Sequence, residues 1–265
     1  MVSILLNQDL MIESSTILEM QKINQQGHLI AIITNKGYKE SLACLGIAKT
    51  WIHFFVANNG AILVDDIKKE LLKNPQTINL EFINSILQDI KYLNGATQII
   101  TSKKTYIHSD INFLKSDGWL SERDKKINIF PFQKYEKETV VKKSEVIQLT
   151  IILDPELIKE LMIYFTNFYN NDYEFKLSSK ITLDINVTGV SNYEGIKTIM
   201  MLYKIKSQNV FVFGNSSCDI ELMKNIKNTY STKESMPVIQ ELSNHIVEFN
   251  ETHTLALEIE KILKK

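Results

Sequence analysis

The chain has 265 residues, room for one large domain or two ordinary ones, and 44% of them are apolar, enough for a sizeable core. Its 30 Lys plus Arg nearly cancel 31 Asp plus Glu, so no global field recruits nucleic acid or an anionic membrane, and neither is an expected partner. No apolar run reaches the ~18–20 residues of a membrane span, and Cys44 and Cys218 lack metal-ligand spacing and read as reduced thiols of a cytoplasmic protein.

In chain order, residues 2–7 ("VSILLN") form an apolar run of strand length. A helix follows, capped by Ser14 or Ser15, its apolar face either Ile17, Met20 and Ile23 or Leu18 and Ile23, and ended by Gly27. "HLIAIIT" is nearly continuously apolar, as suits a parallel strand buried on both faces, with Thr34 at its C-terminal end. A helix over 38–46 and a third strand in "HFFVANNG" complete a β-α-β-α-β start, which predicts an α/β fold with a doubly wound parallel sheet. The order then changes. "INLEFINSILQDIKYL" is an amphipathic helix, and "TQIITSKKTYIHS" a hairpin turning at Ser102-Lys103-Lys104. "IQLTIIL", "PELIKELMIYFTNFYN", "YEFKLSS" and "ITLDINV" give strand, helix, strand, strand. The parallel pattern resumes with a helix over 193–204, the strand "NVFVFG", a helix over 219–227, a strand near Tyr230, a helix near Val238, the strand "HIVEF" and a last helix. The expected organisation is a core of residues 1–65 and 188–265 with an α+β domain, residues 66–187, inserted between linkers near 62–70 and 185–192.

"GHLIAIITNK", "ANNGAIL", "GVSNYEGI" and "VFGNSSCDIELM" occur in this order. Together they resemble the motifs of the haloacid dehalogenase superfamily, specifically its Cof-type phosphatases with a large α/β cap on a Rossmann-like core. The resemblance implies transfer of a phosphoryl group from a small phosphorylated metabolite to an aspartate at the end of the first strand. A second aspartate two residues on serves as acid and base, a Thr or Ser binds a phosphate oxygen, a Lys steadies the charge, and acids of the last motif hold Mg²⁺.

Carried onto this sequence, the catalytic positions are Asn7 (nucleophile), Asp9 (acid/base), Thr34 and Asn192 (the Lys position). Thr34, Asn35, Lys36 and Asn59 would contact substrate, and Asn7, Asp9, Asn215 and Asp219 would take the metal positions. In a second register, "ILLNQDLMI" matches the segment just after the first motif, and the central strand is then absent. The first register is preferred, because removing a central strand leaves neighbouring backbone groups unpaired. In either register no Asp of this sequence holds the nucleophile position; in the first, a neutral amide replaces the nucleophile, the Lys and one metal acid. The resemblance therefore implies Mg²⁺ bound weakly or not at all, and an inactive phosphatase-like protein that binds a small phosphorylated ligand or a partner. The alternative is an active Mg²⁺-dependent sugar phosphatase using Asp9. A further picture has Asn7, Asn192 and Asn215 filling the old site as one hydrogen-bonding cluster.

Each residue also has a plainer reading. Asp9 fits a turn, Asp219 an acid favoured at a helix N-terminus, and Asn58-Asn59-Gly60 a turn as well as a ligand crevice. Cys218 reads as a reactive thiol at a helix start or as a small buried residue. His53, His108 and His245 have no mutual metal spacing. Lys125, Lys126, Lys142 and Lys143 read as solvated loop, and the aromatic-rich 162–175 stretch as core of the inserted domain.

Overall fold

The computed structural model describes residues 4–7, 11–72, 76–102, 105–108, 133–134, 146–169, 171–248 and 254–264. The chain forms two compact units, Met1–Asn74 with Ser191–Lys265, and Pro75–Val190 between them. The first opens with α1 (Ser14–Gln25), β1 (Ala31–Ile33), α2 (Tyr38–Leu45), β2 (Phe54–Ala57), β3 (Ile62–Asp65) and β4 (Glu70–Leu71). The second contains α3 (Leu80–Asp89), β5 (Ala96–Thr101), β6 (Thr105–His108), β7 (Gln133–Lys134), β8 (Val146–Ile152), α4 (Pro155–Tyr169), β9 (Tyr173–Ser179) and β10 (Thr182–Val187). The first unit resumes with α5 (Asn192–Leu202), β11 (Phe211–Phe213), α6 (Ile220–Asn225), β12 (Asn228–Thr232), α7 (Pro237–Leu242), β13 (His245–Val247) and α8 (Thr254–Leu263). No helix among the described residues is long and apolar enough to cross a membrane.

In the first unit β1 pairs parallel with β2, Ala31 opposite Phe54 and Ile33 opposite Val56, and β2–β3–β4 continue antiparallel. A separate sheet, β11-β12-β13, is parallel throughout. One apolar core joins the two sheets: Phe54, Val56 and Leu63 from one, Val212 from the other, packed with Ile196 and Ile199 of α5 and Leu222 and Met223 of α6. Helix α5 approaches β2 closely because position 195 is glycine; a Cβ there would stand 2.5 Å from Val56 Cγ1. At its other end Tyr203 meets Phe54 edge-on, centroids 4.8 Å apart. The Tyr203 hydroxyl donates to buried Asp65, which also accepts from the Ile67 and Lys68 amides.

The second unit is a six-stranded sheet ordered β7-β6-β5-β8-β10-β9. The period-2 alternation of its strands sends Ile99, Leu149, Ile151, Leu183 and Ile185 into a core with Phe82, Ile83 and Ile86 of α3 and Ile158 and Phe165 of α4.

Three expectations need correction. Residues 4–7 are turn and coil, not strand. Ile4 and Leu6 are buried on the approach to α1, and Asn7 closes a turn: its amide donates to Met11 O, and Met11 N to Asn7 Oδ1. Among the described residues β1 and β11 are the end strands of their sheets. The expected linker near 62–70 carries the hairpin β3–β4, so the first sheet continues through Leu71 and the seams fall at 74/75 and 190/191. Glu13, not a serine, takes the N-cap position of α1, and that helix buries Thr16, Glu19 and Met20 while Leu18 is exposed.

Candidate functional site

Ligands of parallel α/β sheets bind at the C-terminal ends of the strands. Here those ends gather around the N-terminus of α5. Ser191 caps this helix, accepting from Glu194 N at 3.2 Å, in an S-x-x-E pattern visible in the sequence but not singled out. The turn after β2 holds Asn58, Asn59 and Gly60 at φ 53°, 56° and 96°. Gly60 sits so close to α5 that a Cβ would lie 2.1 Å from Ser191 O. The same turn ties back to β1, with Asn58 N donating to Lys36 O and Asn59 N to Thr34 O. Thr34 is buried, and its Oγ1 accepts from Lys36 N at 3.1 Å. Asn35 and Lys36 are half-buried.

On the β11 side the geometry centres on Asp219. Its Oδ2 accepts from Asn215 N (3.1 Å), Ser216 N (3.2 Å) and Ser216 Oγ (3.4 Å), and its Oδ1 from Asn192 Nδ2 at 3.0 Å. The same Asn192 nitrogen donates to Cys218 O at 3.2 Å. Both neighbours are acceptors, so the amide nitrogen must face them. That leaves Asn192 Oδ1 buried without a partner among the described residues. The tight turn depends on Gly214, where a Cβ would stand 2.8 Å from Met223 Sδ and 3.2 Å from Asp219 Cβ. Ser216 is a site residue that sequence reasoning passed over; its signal is the S-x-x-D run 216–219.

Thus Thr34, Asn35, Lys36, Asn59, Asn192, Asn215 and Asp219 lie on segments that converge at one helix end. Asn7 Nδ2 donates to Glu13 Oε1 at 2.6 Å, in the lead-in to α1. Its turn contacts with Met11 belong to the same lead-in, and Asn192 Nδ2 and Asn215 N both donate to Asp219. Asp9 and the lysines at 125, 126, 142 and 143 lie outside the described residues, as does the His108 side chain. Cys218 is a small buried residue within the turn. Among the described residues no three His, Cys, Asp or Glu side chains converge as a metal-binding group. A surface hollow of about 780 Å³ lined by His28, Tyr38, Lys49, His53 and Asp66 lies elsewhere, flanked by residues that precede β1 and β2.

A family model described as haloacid dehalogenase-like hydrolase matches residues 4–259. Similar solved structures include a HAD/COF-like hydrolase from Plasmodium vivax, at 17% identity and TM-score 0.83, covering 98% of this chain and 92% of that one. A HAD subclass IIB sugar phosphatase is similar at 16% identity and TM-score 0.79, covering 97% and 95%. A haloacid dehalogenase-like hydrolase from B. subtilis is similar at 12% identity and TM-score 0.81, also covering 97% and 95%. At these identities the likeness is one of fold. No protein of curated function matches the sequence.

Proposed function

The chain belongs to the haloacid dehalogenase-like hydrolase family, and on that premise we propose that it is a non-hydrolytic member that keeps a pocket for a small phosphorylated ligand. The observation that carries this reading is the engagement of Asp219. Both of its oxygens hold protein donors, and one of these is the amide of Asn192, at the position the family fills with Lys. In such chemistry an anion attacks phosphorus and a cation balances the charge that develops. Neither charge is supplied by Asn192 or Asn215. Mg²⁺ prefers several oxygen ligands and gives up water reluctantly, so one engaged carboxylate beside an amide is a poor donor set for it. What remains suits binding rather than bond cleavage: Lys36 brings a positive charge, and Thr34, Asn35 and Asn59 bring polar groups near the same helix end.

Turnover of p-nitrophenyl phosphate and a panel of sugar phosphates with Mg²⁺ tests the proposal. The expected rate equals the protein-free background, while calorimetry detects a sugar phosphate whose binding Lys36→Ala weakens. Mg²⁺-dependent turnover abolished by Asp9→Asn would overturn the proposal in favour of an active phosphatase. The double variant Asn192→Lys/Asn215→Asp should bind Mg²⁺ more tightly than the parent, because it restores the missing pair of charges.

A further inference from the structure

The surface hollow of about 780 Å³ opens at the end of the strands away from the α5 site. His28 and Leu29 precede β1, Ile52 and His53 precede β2, and Asp66 and Ile67 follow β3, which runs the other way. None of the residues gathered at the N-terminus of α5 lines it. Its volume falls within the roughly 300–1,000 Å³ of small-molecule sites.

The wall of the hollow has two parts. One is apolar. Leu29 is 40% and Ile67 55% exposed, Leu42 is half-buried and Ile52 buried. Tyr38 is fixed edge-on against Phe55, ring centroids 4.9 Å apart. Large aliphatic side chains left open to water in a concave wall are stabilised by an apolar group laid over them.

The other part is polar, and its hydrogen bonds show which groups remain for a ligand. Ile30 N donates to His53 Nδ1 at 3.0 Å, so the neutral ring carries its hydrogen on Nε2. The Asn24 side-chain amide lies 3.0 Å from Nε2. Because that nitrogen donates, the amide oxygen faces it and the NH2 group is turned away from the ring. Both oxygens of Asp66 are engaged, Oδ1 by the Tyr38 hydroxyl at 2.8 Å and Oδ2 by Lys69 Nζ at 2.7 Å. Lys49 is exposed and forms no ion pair among the described residues. The Asn24 NH2 and the Lys49 ammonium are thus donors that call for an acceptor. Lys49 and Lys69 against Asp66 leave one positive charge, which a single anionic group balances. A dianion would bring a second, uncompensated charge near Asp66.

We infer that this hollow binds a small aromatic monocarboxylate, its ring laid on Leu29, Ile67 and Tyr38 and its carboxylate accepting from Lys49 and Asn24. A flat, rigid ring covers apolar area at a smaller loss of rotamer freedom than an alkyl chain, and it can meet the Tyr38 ring.

The probe is 2-naphthoate, titrated into the full chain and followed by amide chemical shifts. Saturable shifts should appear at Leu29, Ile30, His53 and Ile67, with a Kd on the order of 0.1 mM. The uncharged 2-naphthamide should bind about tenfold more weakly at these residues, and so should the dianionic 2-naphthyl phosphate. Lys49→Ala should weaken 2-naphthoate by about tenfold. Leu29→Asp, at an exposed position, should abolish its binding; if circular dichroism shows that variant to be unfolded, Lys49→Ala decides alone. The inference fails if the four amides do not shift at probe concentrations well above the expected Kd, if 2-naphthamide binds equally well, or if Lys49→Ala leaves the affinity unchanged. Shifts confined to residues 34–36 and 192 would put the probe in the phosphate pocket and also overturn it. Because the two sets of amides report separately, this inference and the proposed function can fail independently.

Discussion

Replacing Asp219 by Ala separates a structural carboxylate from a metal ligand. The side chain is 8% exposed and accepts from four donors. Hydrogen bonds to a charged acceptor are worth roughly 1.5–3 kcal/mol each, but they do not add. Asn215 and Ser216 are half-buried and regain water when the carboxylate is removed. Asn192 is 2% exposed and cannot, though its nitrogen keeps Cys218 O at 3.2 Å. With part of the loss recovered in this way, the net destabilisation should be about 2–4 kcal/mol. Urea unfolding followed by circular dichroism measures it as a lower midpoint with an unchanged slope. The decisive comparison is between buffers with EDTA and with Mg²⁺. A structural role gives the same difference in both. A difference that appears only with Mg²⁺ would show Asp219 to be a metal ligand and refute the reasoning. Asp219→Asn, which keeps an acceptor for the turn amides but sets one amide nitrogen against another donor, should fall between parent and Ala.

Other substitutions probe the scaffold. Gly60→Ala combines positive φ with a Cβ 2.1 Å from Ser191 O and should cost about 3–5 kcal/mol, whereas Gly189→Ala, at φ +82° with nothing within 4 Å, should cost only about 1–2 kcal/mol; thermal melts compare them. The hydrogen bond to Asp65, together with burial, pushes the Tyr203 hydroxyl up to about 12. Tyr203→Phe should remove one late-titrating tyrosine from the ultraviolet pH titration and lower stability by about 1.5–3 kcal/mol. Burial holds the His53 imidazole below its usual 6.5, the Asp65 carboxylate opposing it, and Nδ1 already accepts from Ile30 N at 3.0 Å. The fold therefore favours the neutral ring: this contribution is whole above the unfolded value of 6.5 and is lost as pH falls from there toward the folded value. Urea midpoints taken between about pH 5 and 8 should show that slope in the parent and a smaller one in His53→Gln.

The local elements were legible wherever periodicity is strong. The apolar runs at 31–33, 54–57, 146–152 and 211–213 are strands, and 80–89, 155–169 and 192–202 are helices. Their order, with an α+β block interrupting a parallel pattern, was enough to indicate the fold class. Pairing was not legible, because a strand exists only if a neighbour accepts its hydrogen bonds, and that neighbour is chosen by distant chain. Residues 4–7 have strand composition, yet Ile4 and Leu6 are buried in turn and coil, while 62–71, read as a linker, finds β2 beside it and becomes a hairpin. The sequence by itself determined that amides stand at 192 and 215, since residue identity alone sets charge. That Asn192 turns its nitrogen to Asp219, and so engages its carboxylate, was decided only when α5 and the turn after β11 came within hydrogen-bonding distance.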